Sequence, residues 1–187
     1  ILPFGDLSPE VWRAMAAAAA RIQTLMVAPE AQARDLSDFA DSLVPFLESD
    51  QIDREWIRGF QMVEIPDTAG SLETIASLKH AKPDLLVSVR MPAVSSRKNL
   101  HRVVEFTRAG VDLIHYVADE RGYEPGVSNG LHLKDIIKEV HSALLQEGLR
   151  DEITFMASGG IAMAEHVIKS MLCGANLVAV DVPLLIA

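Results

Sequence analysis

The stretch Glu152-Ile-Thr-Phe-Met-Ala-Ser-Gly-Gly-Ile161, then a helical interval from Met163 to Cys173, then Gly174-Ala-Asn-Leu-Val-Ala-Val-Asp181, decides how this chain is read. An apolar run rich in β-branched and aromatic residues ends at Ser158-Gly159-Gly160. A helical pattern follows and a second buried-type run closes the unit, which spells strand, tight turn, helix, strand. Two glycines let the backbone approach a ligand closely, and the first N–H groups of the next helix favour an anion. In barrels of eight alternating strands and helices, a phosphate is frequently held by the loops after the seventh and eighth strands. The glycine pair is therefore the candidate anion site.

Outward from this unit the same alternation recurs. Strands are predicted at Ile1–Phe4, Thr24–Ala28, Leu43–Leu47, Gln61–Ile65, Leu85–Met91 and Val111–Val117, before the two in the quoted stretch. Pro45 weakens the third, because proline donates no hydrogen bond to a ladder. Ser8-Pro9-Glu10 starts a helix that runs to about Ile22, with Ser8 as N-cap and Pro9 at the first helical position. A short helix falls between Glu30 and Ser42, and Ile52, Trp56 and Phe60 recur at helical spacing. Ser71 is the expected cap of a helix with Leu72, Ile75 and Leu78 inward; Leu100, Val103, Val104 and Phe106 mark another, stopped at Gly110. The clearest amphipathic helix carries Leu133, Ile136, Ile137, Val140 and Leu144. Between them, Asp119 to Gly130 is the longest loop, rich in turn residues and placed where functional loops sit. Strands apolar on both faces, alternating with helices, predict an α/β fold with a parallel sheet covered on both sides. Eight such units define a TIM (β/α)8 barrel, compact or incomplete at this length. The abrupt start at Ile1 and the end at Ala187 read as a trimmed piece of a longer chain.

Composition narrows the function. The 187 residues, 49% apolar, suit one domain with a sizeable core. A net charge of -9 disfavours a nucleic-acid partner, since phosphate backbones need a basic face. The lone Cys173 excludes an internal disulfide and any multi-cysteine metal site, which suits a reducing, cytoplasmic setting, and it reads as core or near-core packing. No apolar run is long enough for a membrane span and no signal peptide is visible. His132, His141 and His166 fall on helical patterns away from the active face and offer no i, i+4 pair, so no metal site is expected. Met15, Met163 and Met171 read as packing.

Asp151 to Ile161, Ala164-Glu-His166, Cys173 to Asp181, Lys134 to His141 and Leu149-Arg-Asp151 together resemble the FMN-binding domain of the glutamate synthase family, in its divergent related members. Phe4 to Val11 is similar to the family's entry segment, and Pro83 to Arg90 to its fifth strand. The resemblance is specific over residues 84–187 and patchy before. It implies a single FMN-binding TIM-barrel domain over 1–187, FMN as cofactor, and an oxidoreductase that reduces a 2-imino acid to an amino acid such as glutamate. It matches Ser158, Gly159 and Gly160 to the phosphate-binding turn, and Ala179, Val180 and Asp181 to the second, glycine-rich phosphate turn of the family. Arg90 stands at the position of a lysine beside the flavin ring, where its charge would stabilise a reduced, anionic flavin. The loop after the fourth strand is only Glu64 to Gly70 here, and the iron–sulfur cysteines are absent.

Each candidate has a second reading. Arg90 suits a flavin contact or a salt bridge to Glu64 or Asp119. His115 suits a proton donor near a substrate, since imidazole titrates near neutrality, or a hydrogen-bonded core histidine. Asp119 suits substrate positioning or a solvated loop carboxylate, and Ser158-Gly159-Gly160 suits a phosphate turn or a bare strand-to-helix turn. Catalysis is assigned to Arg90, His115 and Asp119. No Gly-x-Gly-x-x-Gly fingerprint is present, so a separate electron-donor protein or domain, in an oligomer or larger complex, and a small-molecule substrate are the expected partners. The alternatives are a cofactor-less barrel serving as scaffold or regulatory subunit, and a barrel enzyme for a phosphorylated metabolite.

Overall fold

The structure, a computed structural model, describes residues 7–48, 52–181 and 183. The chain divides into two compact units, Ile1–Ser88 and Val89–Ala187. The expected strand at Ile1–Phe4 lies outside the described residues.

The first unit opens with α1 (Pro9–Arg21), whose cap Ser8 accepts a hydrogen bond from the Val11 amide at 3.4 Å. That bond satisfies one of the amides a helix start leaves without an intrahelical acceptor. Next come β1 (Met26–Pro29), α2 (Glu30–Asp35), a 3-10 segment (Ser37–Ser42), β2 (Leu43–Phe46), α3 (Arg54–Ile57), β3 (Met62–Pro66) and α4 (Ser71–Ala81). Strands β1, β2 and β3 lie side by side in chain order and parallel. β2 forms despite Pro45, with all four of its residues buried. Trp12, Ala16, Met26, Ala28, Leu43 and Phe60 belong to one apolar cluster in this unit.

Two expectations here are corrected. The helix foreseen over Ile52–Phe60 is the single turn α3, because the Asp53 carboxylate caps it by accepting from the Glu55 and Trp56 amides at 3.2 and 3.1 Å and the turn closes at once. Ser71 is not the cap of α4 but its first residue; its hydroxyl accepts from the Thr68 amide at 2.7 Å and donates to the Pro66 carbonyl at 2.9 Å. Ser71 thereby stitches the loop after β3 rather than the helix.

β4 (Leu86–Pro92) begins in the first unit and ends in the second. The second unit continues with α5 (Arg97–Arg108), β5 (Leu113–Val117), α6 (Leu133–Gln146), β6 (Thr154–Ser158), α7 (Ala164–Cys173) and β7 (Leu177–Val178). Its strands again follow chain order, with β6 parallel to both β5 and β7. The five apolar residues foreseen on α6 are all buried. Each such side chain contributes about 1.5–3 kcal/mol of burial. Tyr116 and Phe155 meet edge to face between β5 and β6, with ring centroids 5.3 Å apart. The packing role expected of Met163 and Met171 is not seen: both are more than half exposed, as are Ile168 and Leu172. The only residue α7 buries is Ser170, so its apolar spacing marks an outer face. Cys173 is half-buried.

Ile137 is fully buried on α6. Truncation to alanine is expected to lower stability by about 2–5 kcal/mol, read as a reduced urea midpoint with unchanged slope.

Candidate functional site

Strands β5 and β6 run in register, His115 opposite Met156 and Val117 opposite Ser158. Their C-terminal ends release two loops, 118–132 and 159–163. The ladder makes one further bond, from the Ala118 amide to the Ser158 carbonyl at 2.9 Å, and then the two backbones converge. Gly159 and Gly160 take φ of +95° and +67°. A Cβ on Gly159 would lie 2.4 Å from the Ala118 carbonyl oxygen, and one on Gly160 would lie 2.3 Å from the Gly122 nitrogen. Glycine is needed here for two reasons, the left-handed backbone and the absence of room. Among the described residues, no protein acceptor takes the amide hydrogens of Gly159 and Gly160.

The long loop is ordered by its own acids. Asp119 accepts from the amides of Arg121 at 2.9 Å and Tyr123 at 2.8 Å. Glu124, 7% exposed, accepts from the Leu131 amide at 2.9 Å and from the Ser95 amide in the loop after β4. The Ser95 hydroxyl donates to Glu139 on α6. A buried carboxylate is tolerable only when its oxygens have donors, and here backbone amides supply them.

Of the residues foreseen for the site, His115 and Ser158 are brought together. The His115 Nε2 and Ser158 Oγ are 2.8 Å apart, with only 3% and 4% of the residues exposed. Arg90 lies half-buried in β4 and Asp119 half-buried at the start of the loop. Ala179, Val180 and Asp181 follow β7, but the Ala179 amide is already committed to the Ala157 carbonyl at 2.9 Å. Glu64 is fully buried and accepts from the Ser88 hydroxyl at 3.1 Å.

The placement of His132 away from the active face is corrected. It is the N-cap of α6, its Nδ1 accepting from the Lys134 amide at 3.2 Å, and its ring meets Tyr123 edge to face at 5.2 Å. A Cβ on Gly122 would be 3.4 Å from His132 Nε2 and 3.6 Å from Gly160 Cα, so the imidazole borders the glycine pair. His166 stands on α7 with its Nδ1 accepting from the Ala162 amide at 3.3 Å. Glu124, Ser95, His132 and His166 are the residues that sequence patterns missed. Burial holds the His132 pKa below the usual 6.5, aided by Lys134 and His166 and opposed by Asp135 and Asp119.

A strand-helix alternation with a glycine turn at the C-terminal strand ends defines the α/β barrel class. The model of the conserved region in glutamate synthase matches residues 60–187, and the chain belongs to that family. None of the curated proteins matches it in sequence. Among solved structures, an aldolase, QR15, is similar with a TM-score of 0.67 at 15% identity, over 94% of this chain and 85% of its own. A flavocytochrome b2 double variant with sulfite bound also gives 0.67 at 15% identity, over 93% of this chain and 53% of its own. Another flavocytochrome b2 variant, with benzoylformate, gives 0.62 at 16% identity, over 81% of this chain and 46% of its own. The chain thus spans about half the length of the flavocytochromes it matches. These likenesses show the fold, an incomplete TIM (β/α)8 barrel.

Two outcomes follow from this geometry. Gly160→Ala is expected to cost about 2 kcal/mol or more in chemical denaturation, through strain and the clash with Gly122. Gly126→Ala, with the same hand of backbone but open space, should cost only about 1 kcal/mol. Because the folded state holds the His132 pKa down, the unfolded chain binds more protons as the pH falls below 6.5. The His132 contribution is fully present above 6.5 and is lost as the pH falls through the folded value. Denaturation midpoints at stepped pH should fall over that window, and His132→Asn should flatten the slope.

Proposed function

We propose that this chain is the FMN-binding part of an oxidoreductase that reduces a 2-imino acid to an amino acid such as glutamate. The observation that carries the reading is the pair of amides at Gly159 and Gly160, which no protein acceptor occupies among the described residues, in a turn whose sequence resembles the family's phosphate-binding turn. Two adjacent amides in a left-handed turn ahead of a helix suit an anionic tail. Bound FMN would supply the redox chemistry that side chains lack.

The chain's own residues have defined tasks in this reading. Gly159 and Gly160 bind the phosphate through N–H groups, and the loop 118–122 packed against them fixes their direction. Arg90 contributes a permanent cation for negative charge that develops in the site. His115 holds a proton whose counterpart is in place, because its Nε2 already shares a hydrogen bond with the Ser158 hydroxyl. Asp119 acts by organising the loop through the Arg121 and Tyr123 amides. A partner protein or domain delivers the electrons.

The scaffold reading has one observation in its favour: the Ala179 amide is spent on the sheet, which leaves less of the second phosphate turn. Titration of the purified protein with FMN separates the two. Saturable binding with quenched flavin fluorescence and shifted absorption bands at one equivalent is the expected result; flavin that dialyses away freely would leave the scaffold.

A further inference from the structure

We infer that Ser158 is a positioning residue for His115: its hydroxyl holds the imidazole from the last residue of β6, and the phosphate is left to the Gly159 and Gly160 amides. The inference deepens the proposed function and rests on it for the ligand and for the use of the His115 proton. Sequence resemblance puts Ser158 in the phosphate turn; the geometry gives its side chain a different task.

The register of β5 and β6 sets the direction of both side chains. His115 stands opposite Met156 and Val117 opposite Ser158, so all four project from one face of the sheet. His115 and Ser158 are therefore diagonal neighbours, offset by two residues or about 6.5 Å along the strand. The hydrogen bond of 2.8 Å between Nε2 and Oγ closes that offset. Tyr116 stands opposite Ala157, and with Phe155 it falls on the other face. The polar pair and the aromatic pair are thus segregated, and the apolar packing of these strands does not call for an imidazole at 115.

Ser158 has little left with which to hold a ligand. It is buried, its carbonyl accepts from the Ala118 amide at 2.9 Å, and a serine hydroxyl carries a single hydrogen. Turning that hydroxyl to a phosphate would break a bond between two buried groups, which is unfavourable unless both find new partners. Gly159 differs on each count. Its backbone takes a positive φ, and its amide has no protein acceptor among the described residues. The work therefore divides across one peptide bond, with the Ser158 side chain on the sheet and the Gly159 amide in the turn. A general acid gains rate when its orientation is fixed before the substrate arrives, and Ser158 supplies that orientation to His115.

The test compares Ser158→Ala with Ser158→Thr, which keeps the hydroxyl, in the full chain. Ser158→Ala is expected to move the imidazole nitrogen NMR signals of His115, assigned with His115→Gln, and to bind FMN within about twofold of wild type. The FMN-loaded, dithionite-reduced protein is then reoxidised with 2-oxoglutarate and ammonium. Ser158→Ala should lower the maximal rate about tenfold at an unchanged half-saturating substrate concentration. Ser158→Thr should restore both the signals and the rate. Added to His115→Gln, Ser158→Ala should slow the reaction no further, because the hydroxyl acts through the ring. An FMN affinity about tenfold weaker in Ser158→Ala, with riboflavin affinity unchanged, would make the hydroxyl a phosphate ligand and overturn the inference. His115 signals or a maximal rate that the alanine leaves alone would overturn it as well. If the wild-type protein binds no FMN, or binds it and does not reduce this substrate, the proposed function falls separately. The His115 signals in Ser158→Ala and Ser158→Thr then decide by themselves whether Ser158 positions the ring.

Discussion

The contact on which the second unit depends is the convergence of two backbones just beyond the ends of β5 and β6. Parallel strands spread their loops apart unless something holds them, and here the glycine pair of one loop lies against Ala118, Asp119 and Gly122 of the other without room for a single carbon. The left-handed turn at Gly159 and Gly160 is therefore set from outside, by the neighbouring loop. That constraint fixes the turn and draws the start of α6 beside it. The turn therefore has a packing role of its own, whatever it binds.

Acidic residues keep that arrangement in place. In a chain of net charge -9, carboxylates near a site for an anion would oppose its ligand. Asp119 and Glu124 are instead consumed by main-chain N–H groups, two each, so their charge is spread into backbone dipoles. Their role is closer to that of a helix cap than to that of a titrating group. His132 and His166 do complementary work, since each uses its Nδ1 to accept a backbone N–H.

How much of this was readable beforehand follows from the range of the interactions. Strands such as Leu86–Pro92, Leu113–Val117 and Thr154–Ser158 are largely apolar and bounded by turn residues, so local pattern located them to within a residue or two. The face of α6 was legible for the same reason. The turn at Gly159 and Gly160 was legible because a glycine pair at the end of an apolar run marks a tight strand-to-helix connection. Ser71 misled because serine suits both a cap and a loop stitch, and only the position of Pro66 and Thr68 decides between them. Methionines at helical spacing misled on α7 because periodicity tells which residues share a face, not which way that face looks. Glu124 gave no signal at all: its donors, Ser95 and Leu131, lie 29 and 7 residues away, and both are main-chain. His132 was hidden by habit, since caps are usually serine, threonine, aspartate or asparagine.

The loop between β5 and α6 is pinned at both ends, by Asp119 at its exit and by Glu124, Leu131 and His132 at its return. What remains is Pro125 to Asn129, where Gly126 meets nothing and Val127 is half in water. Relatives of this protein should therefore differ in length at that tip and almost nowhere else in the loop. An insertion there lengthens a hairpin-like spur, whereas one placed three residues earlier would shift the register on which the glycine corner is clamped. The segment behaves as a handle on a fixed hinge, and it is the natural place to graft a tag or a reporter without disturbing the barrel beneath.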